Sequence, residues 1–436
     1  MVKGSLSGGP GGLQGRPANS VDAGGAPATS RRMTEQTHAF PPAATRTEAL
    51  ARLSRFVPHA GRDYAARRNY DLPEAGHPHV SRLSPFLRHR LITEEEVLSA
   101  TLGRFSLKSA EKFVQEVCWR SYWKGWLEMR PAVWTAYKRD RDASLAPGDA
   151  DLSDRLARAE AGRTGIDCFD AWACDLVRTG YLHNHARMWF ASIWIFTLRL
   201  PWAAGADFFL RHLLDGDPAS NTLGWRWVAG LQTRGKHYLA RPSNIARYTE
   251  GRFSPEGLVT DADPLEGPPH PERRPAPRGD TPTRGARTGL LLTEDDLSPG
   301  FVLDALDAPP VAHAALVSVE RRSPRGVSDR VRRFTHDAVA DARARWSDRL
   351  GPAGPVATEP EAIVAWAREA GLAQVVTPFA PVGPAAEALD RLDTALAADG
   401  IRLCKVMRDW DAAAWPHATH GFFRFKEHIP ELVAGL

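Results

Sequence analysis

Apolar positions along residues 46–258 recur with the period of amphipathic helices. The segments "LKSAEKFVQEVCWRSYWKGWLEM" and "CFDAWACDLVRTGYLHNHARMWFASIWIF" place apolar side chains on one helical face, and strand-like alternation is scarce. "ITEEEVLSATLG" begins with Thr93, a suitable N-cap that is followed by acids in the first turn. The pattern predicts an all-α domain over residues 46–258.

The pattern changes beyond residue 287. Short apolar runs rich in β-branched residues ("TGLLLT", "HAALVSVE", "AQVVTPFAPV", "IRLCKVM") alternate with helical stretches. This alternation predicts a smaller doubly wound domain over residues 288–436, with a parallel sheet covered by helices on both faces. Residues 259–287, dense in Pro, Gly and charge, are predicted to be a linker. The predicted fold class is therefore multidomain, α followed by α/β.

Residues 1–45 are rich in Gly, Ala, Pro, Ser and Thr and lack the apolar run of a signal peptide. We predict a disordered tail there, with Met33 as an alternative start of the chain. The most apolar segment, "MWFASIWIFTL", is shorter than the roughly 20 residues of a membrane span and predicts a buried helix.

Composition adds little to this picture. A net charge of +4 over 436 residues permits a polyanionic partner without arguing for one. The cysteines form no CxxC pair and no metal-ligand spacing, so we predict no metal and a set of buried thiols in a reducing cytoplasm. They are Cys118, Cys168, Cys174 and Cys404.

Two acids stand out in "LLDGDPASNTLGWRW". Asp215 and Asp217 lie in an apolar neighbourhood, and buried acids need partners. Arg187, on an apolar helix, is the natural partner of Asp215, although such a pair is also consistent with a bridge that only orients two helices. Asp217 and Pro218 fit the N-cap and first position of a helix.

A second candidate is the helical stripe of Glu116, Trp119, Arg120 and Trp123. An acid beside a large flat ring suits a planar, hydrogen-bonding ligand, but an interhelix salt bridge next to a Trp-rich core fits the spacing equally well. The basic run over residues 67–90 is typical of a solvated face. Its "VSRLS" segment also carries the Arg and Ser donors that phosphates need.

Taken together, "SRLSPFL", "EVCWRSYW", "TGIDCFDAW", "GYLHNHARM" and "DGDPASNTLGWRWVAG" resemble, in the same order, the FAD-binding helical domain of the photolyase/cryptochrome family. The resemblance implies that Asp217 binds the N3 side of the flavin, that Asp215 and Arg187 pair against the ring, and that Asn221 faces N5. The full set of implied FAD-binding residues is Tyr64, Ser81, Arg82, Leu83, Ser84, Trp119, Asn184, Arg187, Asp215, Asp217 and Asn221.

The same resemblance implies repair of cyclobutane pyrimidine dimers in DNA by light-driven electron transfer from reduced FAD, with the dimer flipped out of the duplex. We expect a cytoplasmic monomer that binds damaged DNA and no membrane. A cryptochrome-like photoreceptor without repair, or a flavoprotein with no role in light, remain alternatives. The residues matching the dimer contacts are Glu116, Trp119, Asn184, Met188 and Trp227.

Several departures from the family accompany the resemblance. Trp225 and Trp202 match the inner members of its electron-transfer chain, but the outer Trp is missing near Asp149, which leaves Tyr137 or another Trp to replace it. His185 stands where dimer photolyases usually have Arg, which predicts lower lesion affinity.

The domain order departs as well, since the family's α/β domain comes first. The C-terminal domain loosely resembles that antenna domain, permuted, with the pigment left open. Its loop Pro381–Pro384 is expected at the carboxyl end of a strand, where open sheets bind ligands.

Overall fold

Helices account for the regular structure of residues 46–248 in the computed structural model, which describes residues 42–436. The predicted tail lies almost wholly outside the described residues. The helices are α1 (Arg46–Phe56), α2 (Arg62–Arg67), α3 (Ser84–Arg88), α4 (Glu94–Leu102), α5 (Glu111–Glu128), α6 (Ala132–Ser144), α7 (Ala150–Glu160), α8 (Asp167–Thr179), α9 (Asn184–Ser192), α10 (Trp202–His212), α11 (Pro218–Val228) and α12 (Pro242–Tyr248).

Local sequence signals explain where these helices begin and end. Thr93 caps α4 through a capping box, in which its hydroxyl accepts from Glu96 N and the Glu96 carboxylate accepts from Thr93 N. Helix α8 ends at Gly180, whose φ of 75° is left-handed. Helix α9 continues into a buried π-helical turn (Ile193–Thr197), so the prediction that "MWFASIWIFTL" is a buried helical segment is confirmed.

A five-stranded parallel sheet follows in the order β3-β2-β1-β4-β5, as the doubly wound prediction requires. Its core joins the strands to helices α16 and α17 through Leu291, Leu316, Ile363, Val375 and Leu389. The elements are β1 (Thr288–Thr293), α13 (Gly300–Asp304), β2 (Ala312–Leu316), α14 (Asp329–Arg345), α15 (Ser347–Leu350), β3 (Ala353–Ala357), α16 (Pro360–Glu369), β4 (Gln374–Pro378), α17 (Pro384–Ala397), β5 (Arg402–Val406), α18 (Asp409–Ala414), α19 (Phe422–Lys426) and α20 (Ile429–Leu432).

The segment between the two regions has no helix or strand from residue 249 to 287. It nevertheless lies against both of them. Leu265 N donates to Ala229 O, Arg274 N to Met129 O, and Asp280 N to Lys405 O, at 2.8–2.9 Å. These contacts fix its path along the surface. The domain boundaries themselves, and the correspondence of the sheet to a permuted antenna domain, stay predictions.

The carboxyl edge of the sheet is covered by the end of α3 and the turn after it. Arg88 Nη1 lies 2.7 Å from Asp295 Oδ1, and Arg90 Nη1 lies 3.0 Å from Asp296 Oδ2, directly beyond β1. His89 Nδ1 lies 2.6 Å from Glu294 O. The prediction that the basic run is a solvated face is therefore wrong for its end, because these side chains pair with acids that they bury.

The loop Pro381–Pro384 is also covered. A Cβ added to Gly383 would lie 2.6 Å from Pro218 Cγ, and Val382 N donates to the Glu128 carboxylate. The loop follows the carboxyl end of β4, as expected, and contacts residues at the end of α5 and at the start of α11.

The prediction of buried thiols holds for Cys118, Cys168 and Cys404 and is wrong for Cys174, which is exposed. Cys174 falls on the solvent side of α8, whose buried face is formed by Cys168, Phe169, Trp172, Ala173 and Leu176. Helical periodicity therefore separates the two thiols of this helix.

Candidate functional site

The loop between α10 and α11, residues 213–217, carries Asp215 and Asp217 and is called the acid loop below. Its backbone is anchored on both sides, since Leu214 N donates to Gly180 O at 2.9 Å and Arg88 Nε donates to Gly216 O at 3.0 Å. Helix α11, which follows the loop, packs against both α5 and α9. Helix α11 therefore connects the loop to two further helices that carry predicted site residues.

Asp215 and Arg187 form the predicted pair, in which Asp215 is buried and Arg187 is partly exposed. Arg187 Nη2 lies 3.0 and 2.8 Å from the two carboxylate oxygens of Asp215. Burial opposes the charged carboxylate, but the charge and hydrogen bond of Arg187 outweigh it and lower the pKa of Asp215. Arg187 Nε also donates to Leu182 O, which fixes the plane of the guanidinium.

Asp217 is a buried N-cap with an unused carboxylate oxygen. Its Oδ1 accepts from Ser220 N at 2.8 Å, which caps α11 as the sequence predicts. Its Oδ2 lies 3.9 Å from both Arg120 Nη1 and Lys124 Nζ, and neither of these two nitrogen atoms has a hydrogen-bond acceptor among residues 42–436. Burial opposes ionisation, but Lys124 and Arg120 hold the pKa of Asp217 below its usual value.

The side chain of Asn221 is oriented by a hydrogen bond to the backbone of α10. Its Nδ2 donates to Ala206 O at 2.8 Å, so the side-chain carbonyl oxygen is the atom left to accept a hydrogen bond from a ligand. The side chain is buried one turn into α11. Its assignment to flavin N5 stays a prediction.

Further predicted FAD-binding residues lie on α2 and around the start of α3. Tyr64 and Leu83 are buried, Ser81 Oγ accepts from Leu83 N at 3.3 Å, and Ser84 hydrogen-bonds Asp215. Arg82 adopts a φ of 53°, and its Nη1 donates to Gly76 O. Ser84 therefore contacts the acid loop through Asp215. One nitrogen of the Arg82 guanidinium is engaged by the backbone carbonyl of Gly76.

The predicted dimer-contacting residues differ from the acid loop in exposure. Asp215, Asp217 and Asn221 are buried, whereas each of the five dimer-contacting candidates keeps solvent-accessible surface. The five are Glu116, Trp119, Asn184, Met188 and Trp227. The two sets of predicted site residues therefore differ in burial, the three polar residues being enclosed and the five others reachable from solvent.

Trp119 and Trp227, the two aromatic residues among the dimer-contacting candidates, stack on different neighbours. Trp119 stacks on Phe422 with a centroid distance of 3.8 Å and an interplanar angle of 10°. Trp227 stacks on Tyr238 at 5.9 Å. One face of Trp119 is thus covered by a residue near the C-terminus.

Trp202 begins a row of buried aromatic contacts. Its ring lies 5.8 Å from Tyr137, and Tyr137 lies 5.1 Å from Trp134. Tyr137, considered above as a replacement for the missing outer Trp, is therefore next to Trp202. Trp225 contacts Trp194 and Phe209 instead, at 6.2 and 5.0 Å.

Three histidines lie beside the site. His77 stacks on His183 at 5.6 Å, and His185 stacks on Trp189 at 4.4 Å. Burial, with His183 and Arg82 nearby, lowers the pKa of His77 to about 2. Burial, with His185 nearby, lowers the pKa of His183 to about 3. Both rings are therefore folded in as neutral groups, although His77 Nδ1 lies 3.6 Å from Asp71.

This depression of pKa predicts acid sensitivity. The unfolded chain takes up protons at His77 near the ordinary pKa of 6.5, while the folded chain resists protonation until about 2, so stability falls as the pH drops below 6.5. At a pH of about 5, His77 alone should cost the fold about 2 kcal/mol relative to neutral pH.

Urea unfolding at several pH values checks this. His77→Asn, which tolerates the left-handed φ of 54°, should lose less stability on acidification than the wild type. His59→Asn, a substitution at an exposed site, serves as the control. Equal slopes for all three proteins would contradict the prediction.

Sequence reasoning missed two cations at the acid loop. Lys124 stands on the buried face of α5 one turn after Arg120, and a Lys between Trp residues on an apolar helix is a signal that could have identified it. Arg322, beyond β2, is fully buried with no hydrogen-bond acceptor in the described part of the chain, and its Nη1 would lie 3.2 Å from a Cβ on Gly216. Burial and Arg88 lower the pKa of Arg322 to about 10.

The region that contains the acid loop is similar to a known domain. Residues 113–258, which include α5, α9 and the acid loop, match the FAD binding domain of DNA photolyase. Residues 113–258 are thus similar to the FAD-binding domain of the photolyases. The acid loop, Asn221 and the cations Arg120 and Lys124 lie within the matched range, and this donor and acceptor set fits the polar edge of a flavin.

The photolyase match covers part of the chain. A deoxyribodipyrimidine photo-lyase of Streptomyces griseus is 36% identical over 155 residues, 35% of this chain and 33% of that protein. One of Thermus thermophilus is 33% identical over 216 residues, 48% of each chain. The chain thus spans between a third and a half of these curated relatives.

Among solved structures, a bacterial class III photolyase from Agrobacterium tumefaciens is 27% identical and covers 51% of this chain and 46% of its own. The TM-score is 0.41, too low to support a conclusion about the whole arrangement. In residues 42–436 no helix is long and apolar enough to cross a membrane. The same residues contain no cluster of three or more His, Cys, Asp or Glu suited to a metal.

Proposed function

We propose that the protein is an FAD-dependent photolyase that splits cyclobutane pyrimidine dimers in DNA under blue light. The observation that carries the proposal is the burial of Asp215, Asp217 and Asn221 in a region that matches a photolyase FAD-binding domain, together with the solvent exposure of the residues that resemble the dimer contacts. FAD, when bound and reduced, supplies the light-driven electron donation that breaks the dimer bonds.

The residues of the chain would position the flavin and adjust its redox properties. Asp217 Oδ2 offers an acceptor for the imide N–H of a flavin, and its charge is kept by Lys124 and Arg120. Asn221 offers a neutral acceptor that supplies no proton, which favours the reduced flavin. Burial of these residues excludes water, so each of these interactions is stronger than it would be in solvent.

The accessible set would hold the flipped dimer. Trp119 and Trp227 offer ring faces for stacking, and Glu116, whose side chain is 39% exposed, offers a carboxylate that can accept from a base N–H. Arg68 Nε lies 3.7 Å from Glu116 Oε1 and helps to hold that carboxylate.

A photoreceptor without repair activity is the second candidate. It is favoured by the stacking of Phe422 on Trp119 and by the ring contacts of Trp202, Tyr137 and Trp134, which suit flavin photoreduction from within the protein. In this case light would change the flavin spectrum while dimers stayed intact.

Blue-light repair of ultraviolet-treated DNA tests the proposal. The wild type should remove dimers under light and not in the dark, and Trp227→Ala should abolish the removal. A wild type that leaves dimers intact while its flavin responds to light would support the photoreceptor.

Glu116→Ala should weaken dimer binding by about 10-fold to 100-fold, because a hydrogen bond to a charged group contributes roughly 1.5–3 kcal/mol. The flavin absorption spectrum should not change, since Glu116 lies in the accessible set. Glu361→Ala, an exposed acid on α16, serves as the control. If Glu116→Ala binds and repairs like the wild type, the dimer pocket is assigned to the wrong residues.

A further inference from the structure

The C-terminal strap (residues 419–426) runs antiparallel along α5. At one end Arg130 Nη2 donates to Thr419 O at 2.9 Å, and Tyr122 Oη donates to His420 O at 2.7 Å. At the other end Lys426 Nζ lies 2.6 Å from Glu111 Oε1. The strap therefore lies beside the helix that carries Glu116 and Trp119.

Consecutive phenylalanines on the strap have opposite environments. Phe422 is buried on Trp119, whereas Phe423 is 83% exposed. The other exposed large apolar side chains of residues 42–436 reach 36–44%. Phe423 is thus a fully presented ring, one residue away from the ring stacked on a predicted dimer contact.

The surface around the strap is basic at both ends. Near the start of α5, Lys108, Lys112 and Arg424 are exposed. Near the end of α5, Arg273 and Arg274 are exposed and line a recess of about 280 Å³ with Thr419. Exposed cations on either side of an apolar ring match a duplex, which presents phosphates on either side of stacked bases.

We infer that the strap is part of the DNA-binding surface, with Phe423 as a wedge that enters the gap left in the duplex when the dimer is flipped out. The inference rests on the proposed function. A flipped dimer leaves unstacked neighbours and an unpaired complementary strand, and an inserted apolar ring restores stacking that the duplex has lost. Phe422 fixes the position of the wedge because its ring is held on Trp119.

The inserted ring should contribute to binding only in a duplex, where flipping the dimer leaves a gap between stacked bases. Phe423→Ala should therefore weaken binding to a duplex containing one cyclobutane dimer about tenfold, within the range of base–aromatic stacking. Binding to a single strand containing the same dimer should not change, because no gap forms there. Phe423→Trp should restore duplex binding.

Fluorescence anisotropy of the FAD-loaded full chain in the dark measures both substrates. Leu50→Ala, which removes an exposed apolar side chain on α1, should leave both affinities unchanged. An unchanged duplex affinity in Phe423→Ala, or an equal loss on duplex and single strand, would overturn the wedge while leaving photolyase function intact. A wild type that does not prefer dimer-containing DNA would overturn both.

Discussion

Asp217→Ala is expected to abolish FAD retention. The substitution removes the acceptor proposed for the flavin imide and leaves Lys124 and Arg120 buried without their nearest acid. Removing one partner of buried charges costs about 3–5 kcal/mol, and loss of an N-cap adds about 1 kcal/mol. The ratio of flavin absorbance to protein after purification should fall close to zero, and the protein should also unfold at lower urea.

The control separates the cofactor effect from the cap effect. Asp149 caps α7 in the same way, with Oδ1 accepting from Leu152 N at 2.9 Å, but lies in an exposed region. Asp149→Ala should lose about 1 kcal/mol of stability and keep its flavin. Full flavin occupancy in Asp217→Ala would mean that the flavin site lies elsewhere.

The second large effect is expected from Arg90→Ala. Arg90 contacts Glu94 in its own region and Asp296 and Asp411 beyond β1 and β5, and all of these side chains are buried. Its loss would leave three acids around the remaining cations Lys124 and Arg408, so the free energy of unfolding should fall by about 3–5 kcal/mol.

Urea unfolding followed by tryptophan fluorescence checks this loss. Arg139→Ala breaks an exposed pair with Asp140 and should change stability by less than about 1 kcal/mol. Adding Asp411→Asn to Arg90→Ala should recover part of the loss, because it removes one of the stranded charges. Equal midpoints for Arg90→Ala and Arg139→Ala would contradict the buried network.

Much of the fold could be predicted because its signals are local. The cap at Thr93, the cap at Asp217 and the alternation of strands and helices after residue 287 depend on neighbours in sequence, and the structure has them. The Arg187–Asp215 pair could also be predicted, since an Arg on an apolar helix must find an acid.

Contacts between distant segments could not be predicted. Arg88 and Arg90 sit in a basic run that looks solvated until Asp295, Asp296 and Asp411 arrive from more than 200 residues away. The stacking of Phe422 on Trp119 was missed for the same reason, since no periodicity relates them. The missing information is tertiary, because burial of a charge depends on its partner.

The distance along the chain between Arg90 and Asp411 affects biosynthesis. Their hydrogen bonds join residues 321 positions apart, so during synthesis Arg90 has Glu94 as its acid partner until Asp296 and then Asp411 have been added. We expect the helical region to reach its full stability only after the segment that follows β5 has been synthesised.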